Sequence, residues 1–320
     1  MLSTTIPQPP ISLADVAGEE PSIRVHQAVL EYCRASAPDL LKWLHDVLEC
    51  THGDVSILVT EHSDSRVPWE MLVLEDGGLP LGARVVVTRW TMVHSYKDRV
   101  WLDPREATFR SGLVVKFVDS ARLAQSKAED VELLKCAVVS CDSVKKLAAT
   151  LWTLPENAAL VFLACHGIFA KDQAHGTELR DANLPGGAIT TLDLEGLPTP
   201  PAGRQPALVV NACHSARLVR TPLGVSGLPA FFLASFTKSY LGTVGAVDEE
   251  VAAEVGARLI KEARTEGGVQ IPEFLLQLRR AAAEAFDGRT KARSFVSTFM
   301  YVYYGSLNGG LRLDPKERHG

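Results

Sequence analysis

Apolar positions along the chain change period, and the change separates two regions. Val25, Val29, Leu30 and Cys33, then Leu40, Leu41, Trp43, Leu44 and Leu48, stand at three- and four-residue spacings. That is the stripe of amphipathic helices, and it predicts two of them before Asp54. The first twenty residues hold Pro7, Pro9 and Pro10 with no apolar period and read as a loose lead-in. Residues 55–59 and 84–89 are short β-rich runs, with the turn residues Asp76, Gly77 and Gly78 between them.

Beyond residue 110 the pattern alternates. Apolar strands are predicted at 112–118, 136–140 and 158–165, with helices at 126–134 and 143–152 between them. Further strands follow at 207–213, 240–247 and 299–304, and further helices at 227–238, 248–263 and 272–286, the last with Pro272 at its favoured first position. Such alternation predicts an α/β protein with a mostly parallel central sheet flanked by helices. Residues 171–204 are rich in Gly, Pro, Asp and Thr, and a connection of that length in a compact domain is usually functional. The polar, irregular stretch 101–110 is the main internal boundary, so the expected organisation is an N-terminal part at 1–105 and a C-terminal part at 106–320.

Composition narrows the class. Of 320 residues, 46% are hydrophobic and 22% charged, the balance of an ordinary folded chain rather than a disordered or fibrous one. Lys and Arg total 33 against 38 Asp and Glu, a net charge of −5 with no long run of either sign, which points to neither a nucleic-acid nor a membrane-surface partner. The longest apolar runs, at 158–165 and 228–234, are too short to span a bilayer. The opening residues lack the basic and apolar pattern of a secretory leader, so the six cysteines are expected as reduced thiols in the cytoplasm.

Two predicted strands end alike, one in Ala164-Cys165-His166-Gly167 and the other in Ala212-Cys213-His214-Ser215. Ligands of open parallel sheets bind beyond the carboxyl ends of the strands, so both endings point to one crevice. A zinc site of two Cys and two His is disfavoured, because neighbouring side chains of an extended segment face opposite ways and the usual Cys spacing is missing. The alternative takes one residue from each pair, a thiol nucleophile and an imidazole base. Gly167 would let a backbone N–H approach a developing oxyanion, with the N–H of Cys213 as the second donor. The competing reading is structural: a Cys at a strand end as a small hydrophobe and a His as a satisfied core group.

From residue 54 to 307 the chain resembles the CHAT domain, a caspase-like cysteine peptidase family related to separase. The His166-Gly167 strand end, followed by Asn211-Ala212-Cys213, matches the family in order and kind. Val67-Pro68-Trp69-Glu70-Met71-Leu72 resembles its Pro-Trp-Glu element, Gly227 to Leu233 the helix after the nucleophile, Tyr240 to Glu250 a strand and acidic turn, and Phe299 to Gly305 the closing strand. Two places depart from the family: His214-Ser215-Ala216 stands where an acid and Thr-Gly are common, and Gly245-Ala246-Val247 where Trp-Pro-Val is common.

The resemblance implies a caspase-like fold with an N-terminal pseudo-caspase half and a catalytic C-terminal half. It implies a cysteine endopeptidase with His166 as base and Cys213 as nucleophile, the N–H groups of Gly167 and Cys213 forming the oxyanion hole, and no metal or other cofactor. The implied partner is a protein cut at few sites, in bacteria a gasdermin-like pore former within antiviral defence or cell death. The alternative is a pseudo-protease scaffold that binds a partner without cutting it. By the resemblance Asp248 lines the pocket for a basic side chain before the scissile bond; by the residues alone it opens a helix, where acids cap and meet the helix dipole. Trp69 is expected in packing, His175 on the long loop, and the acid pairs Glu129-Asp130 and Glu249-Glu250 on solvated helix faces.

Overall fold

The computed structural model describes residues 18–316 apart from 37, 52–54, 62–66, 92, 95–98, 101–105, 107, 170–175, 182–187, 202 and 222–223. Among the described residues ten strands form one sheet: β1 (Ser56–Glu61), β2 (Val86–Thr91), β3 (Arg110–Val118), β4 (Val138–Ser140), β5 (Ala158–Ala164), β6 (Ala207–Asn211), β7 (Ser239–Thr243), β8 (Val269–Gln270), β9 (Tyr301–Gly305) and β10 (Gly310–Leu313). Their order across the sheet is β1-β2-β9-β7-β6-β5-β3-β10-β8, with β4 beside β3. Pairing is parallel except between β7 and β9 and between β8 and β10. The mostly parallel sheet expected from the alternating pattern is present.

The helices are α1 (Glu19–Ser36), α2 (Pro38–Cys50), α3 (Leu81–Arg84), α4 (Lys127–Leu133), α5 (Val144–Leu151), α6 (Leu228–Ser235), α7 (Glu249–Ala263), α8 (Ile271–Ala285) and α9 (Ala292–Met300). Every residue of β5 and of β6 is buried, which is why both read as unbroken apolar runs: a central parallel strand is covered on both faces. Alternate residues divide between the two sides. Val161, Leu163, Leu208 and Val210 pack with α5 and α6, while Leu160, Phe162 and Val209 pack with α7 and α8. A third core joins α1 and α2 to α9 and to Val59 and Val87 of the first two strands. Among the described residues no helix is long and apolar enough to cross a membrane.

Strands from both sides of residue 105 share the sheet, because β2 pairs with β9 at Arg89 and Tyr304. Residues 1–17 of the lead-in, 101–105 and 107 of the boundary, and His175 lie outside the described residues, whereas Glu19 and Glu20, expected in the lead-in, open α1, and Arg110 opens β3. Under that junction sits an ionic cluster invisible to periodicity. Arg89 donates from Nε to Oε1 of Glu70 (2.9 Å), from Nη2 to Oε2 of Glu70, and from Nη1 to Oε1 of Glu61 (2.7 Å), and the Tyr304 hydroxyl donates to Oε2 of Glu61 (2.7 Å). Arg279 adds a second buried cation, its Nη2 donating to the carbonyl of Tyr301 (2.7 Å). Burial alone would raise the Glu70 carboxyl, but the charges of Arg89 and Arg279 and the Arg89 hydrogen bonds hold it below its ordinary value. Burial pushes Arg279 down to about 10.

Three expectations are corrected. The strand expected at 84–89 begins at Val86, because 81–84 coil into α3 against α8. The strand expected at 299–304 begins at Tyr301: Phe295, Val296, Phe299 and Met300 form the buried stripe of α9, and aromatic residues there pack a helix, not a strand. The long loop 171–204 contains order, since Thr177–Arg180 pairs antiparallel with His166–Phe169.

Candidate active site

The two similar strand ends meet. β5 and β6 are adjacent, parallel and in register, with Ala164 opposite Asn211, so the residues that follow leave the sheet at one edge. Cys165 turns into the core, where burial first, and then the charges of Asp119 and Asp181, push its thiol far up. His166 is exposed and opens the hairpin of His166–Phe169 with Thr177–Arg180. The alternation that disfavoured joint metal binding by Cys165 and His166 is thus visible in their opposite exposure. Among the described residues no three His, Cys, Asp or Glu side chains gather as metal ligands would.

After β6 the chain makes a tight turn through residues 212–216 that carries Cys213. His214 adopts φ 59°, the left-handed region uncommon for a residue with a Cβ, and its N–H donates to the carbonyl of Gly245 (3.0 Å). Ser215 is fully buried: its hydroxyl donates to Val210 O (2.7 Å) and accepts from the N–H of Thr243 (3.0 Å), while the Tyr240 hydroxyl donates to Ser215 O (2.6 Å). These bonds lash the turn to β6 and β7, which gives the departure His214-Ser215-Ala216 a structural role. The Thr177 hydroxyl donates to His214 O (2.7 Å) and ties the hairpin to the same turn. Arg217 lies 3.9 Å above the Phe169 ring, a cation–π contact that closes the arrangement.

Gly167 and Cys213 touch through their backbones. A Cβ added at Gly167 would overlap the carbonyl oxygen of Cys213 and lie 3.2 Å from its nitrogen. The half-buried Cys213 thiol accepts from the N–H of Val247 (3.5 Å) and faces the carbonyl of the same residue (3.8 Å). Burial pushes this thiol above its ordinary value, with the Val247 hydrogen bond opposing. Among the described residues no hydrogen bond joins His166 to Cys213, and the thiol contacts given above are to the backbone of Val247.

Asp248 follows Val247 and caps α7, its Oδ1 accepting from the N–H groups of Glu250 (3.1 Å) and Val251 (3.3 Å). Its other oxygen faces Arg293 at 3.3 Å, and the side chain is 17% exposed. The capping role weighed from sequence is therefore in place, beside the thiol and with a cation already on it.

A third group escaped the sequence reading. Glu129 is 1% exposed, not on a solvated face, and accepts from Nδ2 of Asn211 (2.8 Å), the residue two before Cys213. Burial pushes its carboxyl up to about 8, with the Asn211 hydrogen bond opposing. The signal was legible in part: Ser126, Glu129 and Leu133 share one helical stripe, and all three are buried.

A family model for the CHAT domain matches residues 57–285. No curated protein matches the chain. Among solved structures the chain is similar to two of the Saccharomyces cerevisiae separase–securin complex. One superposes at a TM-score of 0.43 with 12% identity, covering 75% of this chain and 15% of that one. The other gives 0.41 and 13%, covering 75% and 14%. The chain thus spans about 15% of the length of the solved chains it matches.

Proposed function

We propose that this chain, which belongs to the CHAT-domain family, is a cysteine endopeptidase that uses His166 and Cys213 on a protein substrate. The observation that carries the reading is the backbone contact between Gly167 and Cys213 at two strand ends held in register. It sets the backbone of Cys213 directly against that of Gly167, whose neighbour His166 is the side chain of that motif suited to act as a base.

Because burial holds the thiol protonated at rest, the base acts during the reaction and not before it. The peptide carbonyl docks at the crevice edge, against Sγ of Cys213. Sγ of Cys213 bonds to the carbonyl carbon as its proton passes to His166, and the oxyanion is held by the N–H groups of Gly167 and Cys213. The C–N bond then breaks, the amine leaves with the proton from His166, and a thioester remains. Water, giving a proton to His166, attacks the thioester and releases the acid and the thiol. None of these steps calls on a cofactor. In this reading residues 1–105 are a pseudo-caspase half that completes the sheet, and 106–320 carry the chemistry. Asp248 is the candidate wall for a basic residue before the scissile bond. A gasdermin-like pore former, cut in the cytoplasm during bacterial defence, is the candidate substrate that the family nominates.

The second reading is a pseudo-protease scaffold, favoured by the protonated thiol and by the absence, among the described residues, of a His166 to Cys213 hydrogen bond. A peptidyl electrophile separates the two. A peptidase labels stoichiometrically at Cys213 and loses the label in His166→Ala; a scaffold leaves Cys213 unlabelled. Sequencing the cut ends of a candidate substrate, against Cys213→Ala, then assigns the bond.

A further inference from the structure

We propose that Glu129 is a positioning residue for Cys213: its carboxyl group anchors the side chain of Asn211 and thereby sets the turn that carries the nucleophile. The inference rests on the reading of Cys213 as that nucleophile. Asn211 is the last residue of β6, and its amide is held from three elements at once. Nδ2 donates to Oε2 of Glu129 on α4 (2.8 Å) and to the carbonyl of Ala252 on α7 (3.0 Å), and Oδ1 accepts from the Tyr301 hydroxyl on β9 (2.5 Å). An asparagine held at both ends of its amide cannot rotate, so the chain leaving it two residues before Cys213 starts from a fixed direction.

Space for the acid has been left deliberately open on α7. A Cβ added at Gly256 would overlap Oε2 of Glu129 and come within 3.3 Å of Nδ2 of Asn211. Mid-helix glycine costs about 1 kcal/mol against alanine, so the position gives up helix stability to admit the carboxyl group. An apolar side chain on α4 would fill the same space without the penalty of burying an acid. What the acid adds is the acceptor for Asn211.

The charged groups around Glu129 leave it without a counter-ion. Asp130 and Glu249 face it with like charge, Lys116 pairs with Asp130 instead, and Tyr301 approaches Asn211 from the far side. Among the described residues no cation pairs with Glu129. The carboxyl group is therefore neutral at neutral pH, and raising the pH through about 8 places a charge under the turn.

The test uses the full chain and iodoacetamide, following carbamidomethylation of Cys213 by peptide mass spectrometry from pH 6.5 to 9 beside thermal melts. E129Q keeps an acceptor and cannot ionise: its rate is expected to match the unmodified chain at pH 6.5 and to exceed it at least threefold at pH 9. E129L keeps the bulk and loses the acceptor: its rate is expected to fall at least tenfold at pH 6.5 with no fall in melting temperature. A ratio of E129Q to unmodified chain that stays at one across the range overturns the proposal, and so does an E129L chain that reacts at the unmodified rate. If E129L does not fold, Gly256→Ala, whose Cβ would overlap Oε2 of Glu129 and displace the acid from Asn211, takes its place and is expected to slow Cys213 at pH 6.5 likewise. A Cys213 that never reacts in the unmodified chain overturns the nucleophile reading and this inference together, whereas equal rates overturn only the inference.

Discussion

The backbone of Gly167 is packed so closely on that of Cys213 that any Cβ at 167 would overlap the Cys213 carbonyl oxygen. The two residues come from neighbouring strand ends, and no other residue type fits the first position without moving the second. If the Gly167 N–H serves as an oxyanion donor, the shift that the added methyl forces in Gly167→Ala should slow Cys213 labelling by a peptidyl electrophile by up to about 10²-fold, with unchanged far-ultraviolet circular dichroism. Labelling at the unmodified rate would show that the close contact does not shape the site.

Asp248 and Arg293 separate capping from specificity. Removing the cap in Asp248→Ala should cost about 1 kcal/mol in urea unfolding. If the same carboxylate selects a basic side chain, that variant also loses preference for Arg over neutral residues before the scissile bond. Arg293→Ala removes the internal cation 3.3 Å from Asp248 and should sharpen the preference, with lower KM for Arg substrates and little change in kcat. Cleavage after an acidic residue would contradict the Asp248 pocket, since two carboxylates would then face each other.

The buried cluster beneath the sheet junction should be severe to break. Arg89→Met leaves Glu61 and Glu70 buried without their main cation, and unfolding free energy is expected to fall by about 3–5 kcal/mol. Because the pairs are shielded from solvent, the loss should be nearly the same in 50 mM and 500 mM salt, measured by urea titration. A change within experimental error would mean that the cluster repacks.

Glu129 also fixes a sign for stability against pH. Burial pushes its native carboxyl up to about 8, above the ordinary 4.5 of the unfolded chain, so between those values the native state holds more protons. Stability therefore falls as pH rises from 4.5 to 8, by up to about 5 kcal/mol from this group. E129Q should remove that component, leaving a flatter profile of unfolding free energy across the same window. A profile as steep as that of the unmodified chain would place the slope elsewhere.

Local pattern was enough to read much of this protein. Continuous apolar runs marked β5 and β6 because a strand buried on both faces has no polar positions to spare, and three- and four-residue spacing marked α1 and α2. The likeness of the two strand ends brought His166, Gly167 and Cys213 forward, since ends of parallel neighbours must emerge together. What local pattern missed depends on partners far along the chain. Glu129 looked like a solvated acid until α4 lay against Asn211 and Gly256. Nothing local in the chain joins Glu61, Glu70, Arg89 and Arg279, which meet only once the strands and α8 pack. Phe299 and Met300 read as strand until packing against α1 made them the end of α9. Periodicity is a property of neighbours in sequence and therefore determined the elements and their order. The environment of a buried charge, and the room left beside Cys213, are properties of neighbours in space, and only the tertiary structure decided them.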